Sequence, residues 1–147
     1  AARFPCRPRV WFEEWDTPLI GGIRWVEELI AIAGGEPLFP ELRDAGGAAQ
    51  RILAPEAVAA RDPEVIIGSW CGKKVKKQTI RERPGWAEIT AIRAGHVYEI
   101  KSTYILQPGP ASLTEGVRQL HFLLARSLGL ELPPALHPQE KTDPDAA

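Results

Sequence analysis

Val65, Ile66 and Ile67 form an unbroken apolar run between the Asp62-Pro63 break and Gly68, and this run restricts the fold more than any other stretch of the chain. A strand that wets one face alternates apolar and polar residues, whereas a strand without alternation is covered on both faces. The run therefore reads as the central strand of a sheet that carries a packed layer on each side.

The flanking segments supply those layers. Arg9 to Glu13 (RVWFE) is a short β-like run that ends at the turn-forming Asp16, Thr17 and Pro18. From Arg24 to Ala33 the apolar Trp25, Val26, Leu29, Ile30, Ile32 and Ala33 fall at helical spacing, and Gly34 and Gly35 follow as the stop. Glu36 to Gln50 is loop-like; Pro55 suits the first turn of a helix that ends near Arg61. Further on come a polar helix over Lys73–Glu82, stopped by Pro84 and Gly85, a short helix over Trp86–Ile92 and a strand over His96–Ile100. A long helix over Leu113–Leu128 places Leu113, Val117, Leu120, Leu123, Leu124 and Leu128 on one side. Strands that alternate with helices imply an α/β fold: an open, mainly parallel sheet with helices on both faces. Residues 1–8 read as an entry segment, 9–130 as the packed unit, and 131–147 as a Pro-rich polar tail expected to be disordered.

Charge excludes some partners. With 147 residues and a formal net charge of -1, the chain has no basic excess that would favour nucleic acid or an anionic membrane. The run Lys73, Lys74, Lys76, Lys77 is a local exception, read as the solvated face of the polar helix. No apolar run approaches the roughly 20 residues that span a bilayer. The chain contains no methionine, so a processed or truncated product is expected. Cys6 and Cys71 allow one disulfide, which spacing alone does not establish.

In an open α/β sheet, ligands lie beyond the carboxyl ends of the strands. The loops to inspect are therefore 13–22, 68–74 and 101–110. They carry Glu13, Glu14, Trp15 and Asp16; Ser69, Trp70, Cys71 and Gly72; and Ser102, Thr103, Tyr104 and Gln107. Aromatic faces beside a few polar groups suit a large, flat, partly apolar ligand. Trp15 and Trp70, each in a loop after a strand, are the candidate platforms, while Trp11, Trp25 and Trp86 are assigned to packing. An enzymatic alternative rests on Cys71 as a presented thiol or Glu14 as an acid or base, but no histidine is placed beside either by a motif. Glu13 and Glu14, as neighbours on a strand, point to opposite faces and do not form an acid–base pair there. Gly72, Lys73 and Lys74 lack the upstream glycine and the following Ser or Thr of a phosphate loop. His96, His121 and His137 show no metal-ligand spacing and are read as structural.

The order of these pieces resembles the C-terminal lobe of the cluster A (class III) substrate-binding proteins, most closely their cobalamin-binding branch. The resemblance is carried by Phe12, Glu13, Glu14 and Trp15 on the opening strand, by WVEELIAIAGGEPLF, PEAVAARDPEVII and the RPGW turn, and by VYEIKSTYILQPGP before the terminal helix. It implies one Rossmann-like lobe of a two-lobed receptor that clamps a corrinoid, ferric siderophore or haem and hands it to the membrane subunit of an ABC importer. It implies no enzymatic activity, no resident cofactor or metal, and a location that is periplasmic or extracellular and membrane-associated. By the same resemblance, ligand contacts map to Glu14, Trp15, Trp70, Cys71, Thr103, Tyr104 and Gln107. Glu56 maps to the glutamate that docks on the importer, and the N-terminal lobe and linking helix would lie outside these residues. A lobe that serves only as an interaction module is the remaining alternative.

Overall fold

The computed structural model describes residues 4–107 and 109–139. Its centre is β5 (Val65–Gly68), fully buried, which pairs in parallel with β1 (Arg9–Asp16) on one side and with β6 (Val97–Glu99) on the other. The unbroken apolar run is thus covered on both faces, as its pattern requires. Val10, Phe12, Val65, Ile67, Tyr98 and Ile100 point into one core beneath the helices α1 (Arg24–Ala33) and α6 (Val117–Ser127). Trp11, Ile66 and Val97 point into the other, beneath α2 (Pro55–Ala60), α3 (Lys77–Arg81) and α4 (Thr90–Ala94). The α1 helix ends where expected, because Gly34 takes the left-handed conformation (φ 107°) that caps the last carbonyls.

The sheet is larger and more mixed than its sequence indicates. After a cis Thr17–Pro18 bond the chain returns as β2 (Leu19–Gly21), antiparallel to β1, and β4 (Ile52–Leu53) pairs with β2. The two-residue β3 (Glu36–Pro37) runs parallel to the start of β1, so part of the segment read as loop is paired. The order is β4-β2-β1-β5-β6, with β3 beside β1. Pairing with β2 extends β1 past Glu13 and takes Trp15 out of a loop and into a strand, opposite Ile20.

Other boundaries move for local reasons. The polar helix begins at Lys77 instead of Lys73, leaving Lys73 and Lys74 in the loop after β5. The helix expected from Trp86 forms at Thr90, where the Asp62 carboxylate accepts the Thr90 amide and hydroxyl at 2.7 Å each; these bonds hold the Asp62 carboxyl below its usual range. After β6 the chain makes a short helix, α5 (Ser102–Ile105), which periodicity does not announce. Ser112–Gly116 form a π-helical turn ahead of α6, and Leu113, expected on the apolar side, is 69% exposed. Packing also extends past residue 130: Pro134–Leu136 form a 3₁₀ turn, His137 meets the Phe122 ring edge-on, and the Gln139 amide donates to Glu115. The rest of the expected tail, 140–147, lies outside the described residues. Cys6 and Cys71 are both free and exposed, so they do not pair.

Candidate functional site

The strands β1, β5 and β6 are parallel, so their carboxyl ends meet at one edge of the sheet and the loops after them converge there. Beneath the loops lies Glu13, wholly buried. Its carboxylate accepts the indole N–H groups of Trp11 (3.1 Å) and Trp70 (2.9 Å) and both Arg83 guanidinium nitrogens (2.7 and 3.2 Å). Arg83 in turn lies over the Trp86 ring, 4.2 Å from its centroid. A buried carboxylate is tolerated only when its lone pairs are filled, and four donors fill these. Glu13 and Arg83 are therefore the frame on which the site stands.

Glu14 is equally committed. One oxygen accepts the Ile23 amide at the start of α1 and the other accepts Arg51 Nη1, both at 2.8 Å; Arg51 also donates to the Gly21 carbonyl. An irregularity in the pairing between Glu13 and Trp15 sets Glu14 apart from the ladder and lets it reach both partners. Glu27 in the first turn of α1 packs into the same cluster, with one oxygen and the Arg51 Nε left without partners. Burial, reinforced by the nearby Glu14 charge, pushes the Glu27 carboxyl up to about 8.

The two candidate aromatic platforms are joined by a cation. Lys73 Nζ donates to Asp16 at 2.8 Å and lies 4.1 Å from the Trp15 ring centroid and 4.9 Å from that of Trp70. Trp70 is only 2% exposed, so its indole is a wall of the core, not the open platform its loop position predicts. Gly68 explains how the loop closes on the strand: a Cβ there would come within 2.8 Å of Val75.

Beyond this wall, at the ends of β5 and β6, opens a groove of about 510 Å³ lined by Trp70, Gly72, Lys73, Lys74, Glu99, Ile100, Lys101, Ser102 and Thr103. Of the residues mapped as ligand contacts, Trp70 and Thr103 line it and Trp15 borders it through Lys73. Cys71 is exposed on the adjoining loop, its amide bonded to the Glu14 carbonyl. Tyr104 packs against the α1/α6 core, Gln107 is exposed, and neither lines the groove. Glu56 is exposed in the first turn of α2. Sequence reading missed Lys74 and Lys101 as groove residues. The available signal was Gly72, whose left-handed φ of 76° marks a turn where a helix had been expected to begin.

Among the described residues, no group of three or more His, Cys, Asp or Glu side chains is placed to hold a metal ion, and no helix is long and apolar enough to cross a membrane.

A mainly parallel α/β unit with a ligand-sized groove at the carboxyl ends of its strands has the architecture of one lobe of a solute receptor. The chain belongs to the periplasmic binding protein family, whose model matches residues 5–104. An uncharacterized ABC transporter substrate-binding lipoprotein of Bacillus subtilis, YvrC, is 31% identical over 68 residues, which are 46% of this chain and 20% of that protein. The periplasmic heme-binding protein BhuT, solved in complex with two hemes, superposes with a TM-score of 0.67 at 24% identity, over 86% of this chain and 48% of its own. The periplasmic vitamin B12 binding protein BtuF of Vibrio cholerae superposes with a TM-score of 0.63 at 21% identity, over 84% and 46%. The chain thus spans a fifth of the lipoprotein and just under half of each structure, and at these identities the two structures define its fold as one lobe.

Proposed function

We propose that this chain is the C-terminal, ligand-binding lobe of the solute-binding component of an ABC importer, and that its ligand is a corrinoid or a similar metal chelate, such as a ferric siderophore or haem. The observation that carries the reading is the groove at the carboxyl ends of β5 and β6 in a chain of this family. There hydroxyls and ammonium groups rim a groove backed by the buried Trp70 and Ile100, a polar edge that suits the periphery of a large chelate. The opposite wall would come from an N-terminal lobe outside these 147 residues. Glu56, exposed on a helix away from the groove lining, would dock on the membrane subunit, and the receptor would work outside the cytoplasmic membrane.

Binding without chemistry is the better reading of the site's reactive groups. Both oxygens of Glu14 are engaged, so it is not poised as a general base. Each histidine is occupied elsewhere: His96 with the Tyr98 hydroxyl, His121 with the Ala33 carbonyl and His137 with the Leu132 carbonyl. None serves as the base that a Cys71 nucleophile would need.

Calorimetric titration of the chain with cyanocobalamin, haemin and a ferric hydroxamate tests the reading. Saturable heat with one of them is expected, at an affinity well below that of a closed two-lobed receptor, because half of the ligand stays wet. Absence of heat with all three, at high protein concentration, would favour a lobe that serves only as an interaction module.

A further inference from the structure

The groove is more basic than the chain that builds it. Three lysines, Lys73, Lys74 and Lys101, line it beside a single carboxylate, Glu99, whereas the whole chain has a formal net charge of -1. Two of the four charges are already spoken for. Lys73 is bonded to Asp16 and held between two indoles, and Glu99 accepts the Val75 amide at 2.6 Å. Lys74 and Lys101 remain: both are exposed, and neither makes an ion pair or a side-chain hydrogen bond among the described residues.

Their backbones are fixed by the loops. The Lys73 amide bonds the Trp70 carbonyl at 3.2 Å, which closes the turn before Lys74, and the Tyr104 amide bonds the Lys101 carbonyl at 3.0 Å, which starts α5. Two unpaired ammonium groups thus stand on opposite loops, one after β5 and one after β6, at the rim of a cleft backed by the buried Trp70 and Ile100. Cations on the rim of a cleft with apolar walls focus their field into it and raise the local concentration of anions.

We propose that this groove selects a chelate bearing anionic oxygens at its periphery, with Lys74 and Lys101 as the residues that meet them. The inference rests on the receptor reading above and narrows it: a chelate with peripheral carboxylates is bound in preference to an uncharged one of the same shape.

Haemin and its dimethyl ester test this, because esterification removes the two carboxylate charges and keeps the macrocycle; cyanocobalamin serves as a chelate without peripheral carboxylates. Affinities are read by absorbance and calorimetry at low and high ionic strength, for the native chain and for Lys74→Gln/Lys101→Gln. Both positions are exposed, so the variant is expected to fold, and its circular dichroism and melting curve check that. The expected result is that haemin binds the native chain roughly tenfold more tightly than its ester, as two partly exposed ion pairs would give. High salt shrinks that ratio, and the double variant brings haemin down to the level of the ester. If the ester binds as tightly as haemin, or if the ratio survives in the double variant, selection by charge is overturned while the receptor reading stands. If none of the three binds, the inference falls, and the receptor reading fails with it only where the ferric hydroxamate gives no heat either.

Discussion

Glu13 and Glu27 are both buried carboxylates but are stabilised in opposite ways. Glu13 is buried as part of an ion pair with Arg83, and two indole N–H groups complete its shell. Removing one partner of such a pair strands the other charge, a loss of about 3–5 kcal/mol. Glu13→Ala is therefore expected to lower the melting temperature by roughly 10 °C, whereas Glu13→Leu/Arg83→Met, which removes both charges, should recover much of that loss. A double variant no more stable than Glu13→Ala would count against the pair as the cause. Glu27 has no such partner, and burial holds its carboxyl near 8 in place of the ordinary 4.5. Between those values the folded chain binds a proton that the unfolded chain has lost. The contribution of Glu27 is thus full below about 4.5 and disappears as the pH rises through about 8. Glu27→Gln should flatten the fall in melting temperature over that window and leave the variant more stable than the native chain, by ~5 °C, at the alkaline end. Parallel melting curves for the two proteins across the window would show that Glu27 ionises normally.

At the scale of elements, the parts legible in the sequence are those whose own pattern decides them. The apolar run of β5, the 3.6-residue spacing of α1 with its Gly34 cap, and the apolar side of α6 from Leu120 to Leu124 form where they are expected. Elements made by pairing were not legible. β2, β3 and β4 are two or three residues long, too short for any periodicity, and exist because β1 offers an edge to β2 and β3, and β2 in turn to β4. The loop after β5 was misread for a related reason: Lys73, Lys74, Lys76 and Lys77 look like one solvated helix face, yet Val75 folds back onto Gly68 and Lys77 is buried. That close approach makes a prediction. Gly68→Ala puts a methyl 2.8 Å from Val75, and is expected to cost about 1–3 kcal/mol. Val75→Ala in the same chain should return part of the loss, since it removes the methyls that clash; additive losses in a double-mutant cycle would show that the two residues do not meet.

At the scale of the whole molecule, the sequence was informative about where a site should be and less so about which side chains make it. The carboxyl ends of β1, β5 and β6 do converge, and two of the three loops named in advance, 68–74 and 101–110, line the groove. But Trp70 turns inward because the indole N–H finds the buried Glu13 carboxylate, a partner 57 residues away that no local pattern reveals. Glu14 is drawn off by Arg51 in the same way, across 37 residues. Glu56 differs from both, since it has no buried partner to claim it: it is exposed on α2, a helix of the layer opposite α1 and α6, and does not line the groove. A carboxylate in the first turn of a helix is favoured by the helix dipole, so a purely local role predicts only a small loss of stability, within about 1 kcal/mol, when its charge is reversed. Docking on a membrane subunit predicts something else. In a two-lobed receptor that carries this lobe, Glu56→Arg should then abolish uptake through its importer while ligand affinity and melting temperature stay near those of the native protein, and a charge-reversing change on the permease should restore uptake in part. Uptake that persists in the variant would reduce Glu56 to a capping residue; uptake and affinity that fall together would place the defect in the lobe itself.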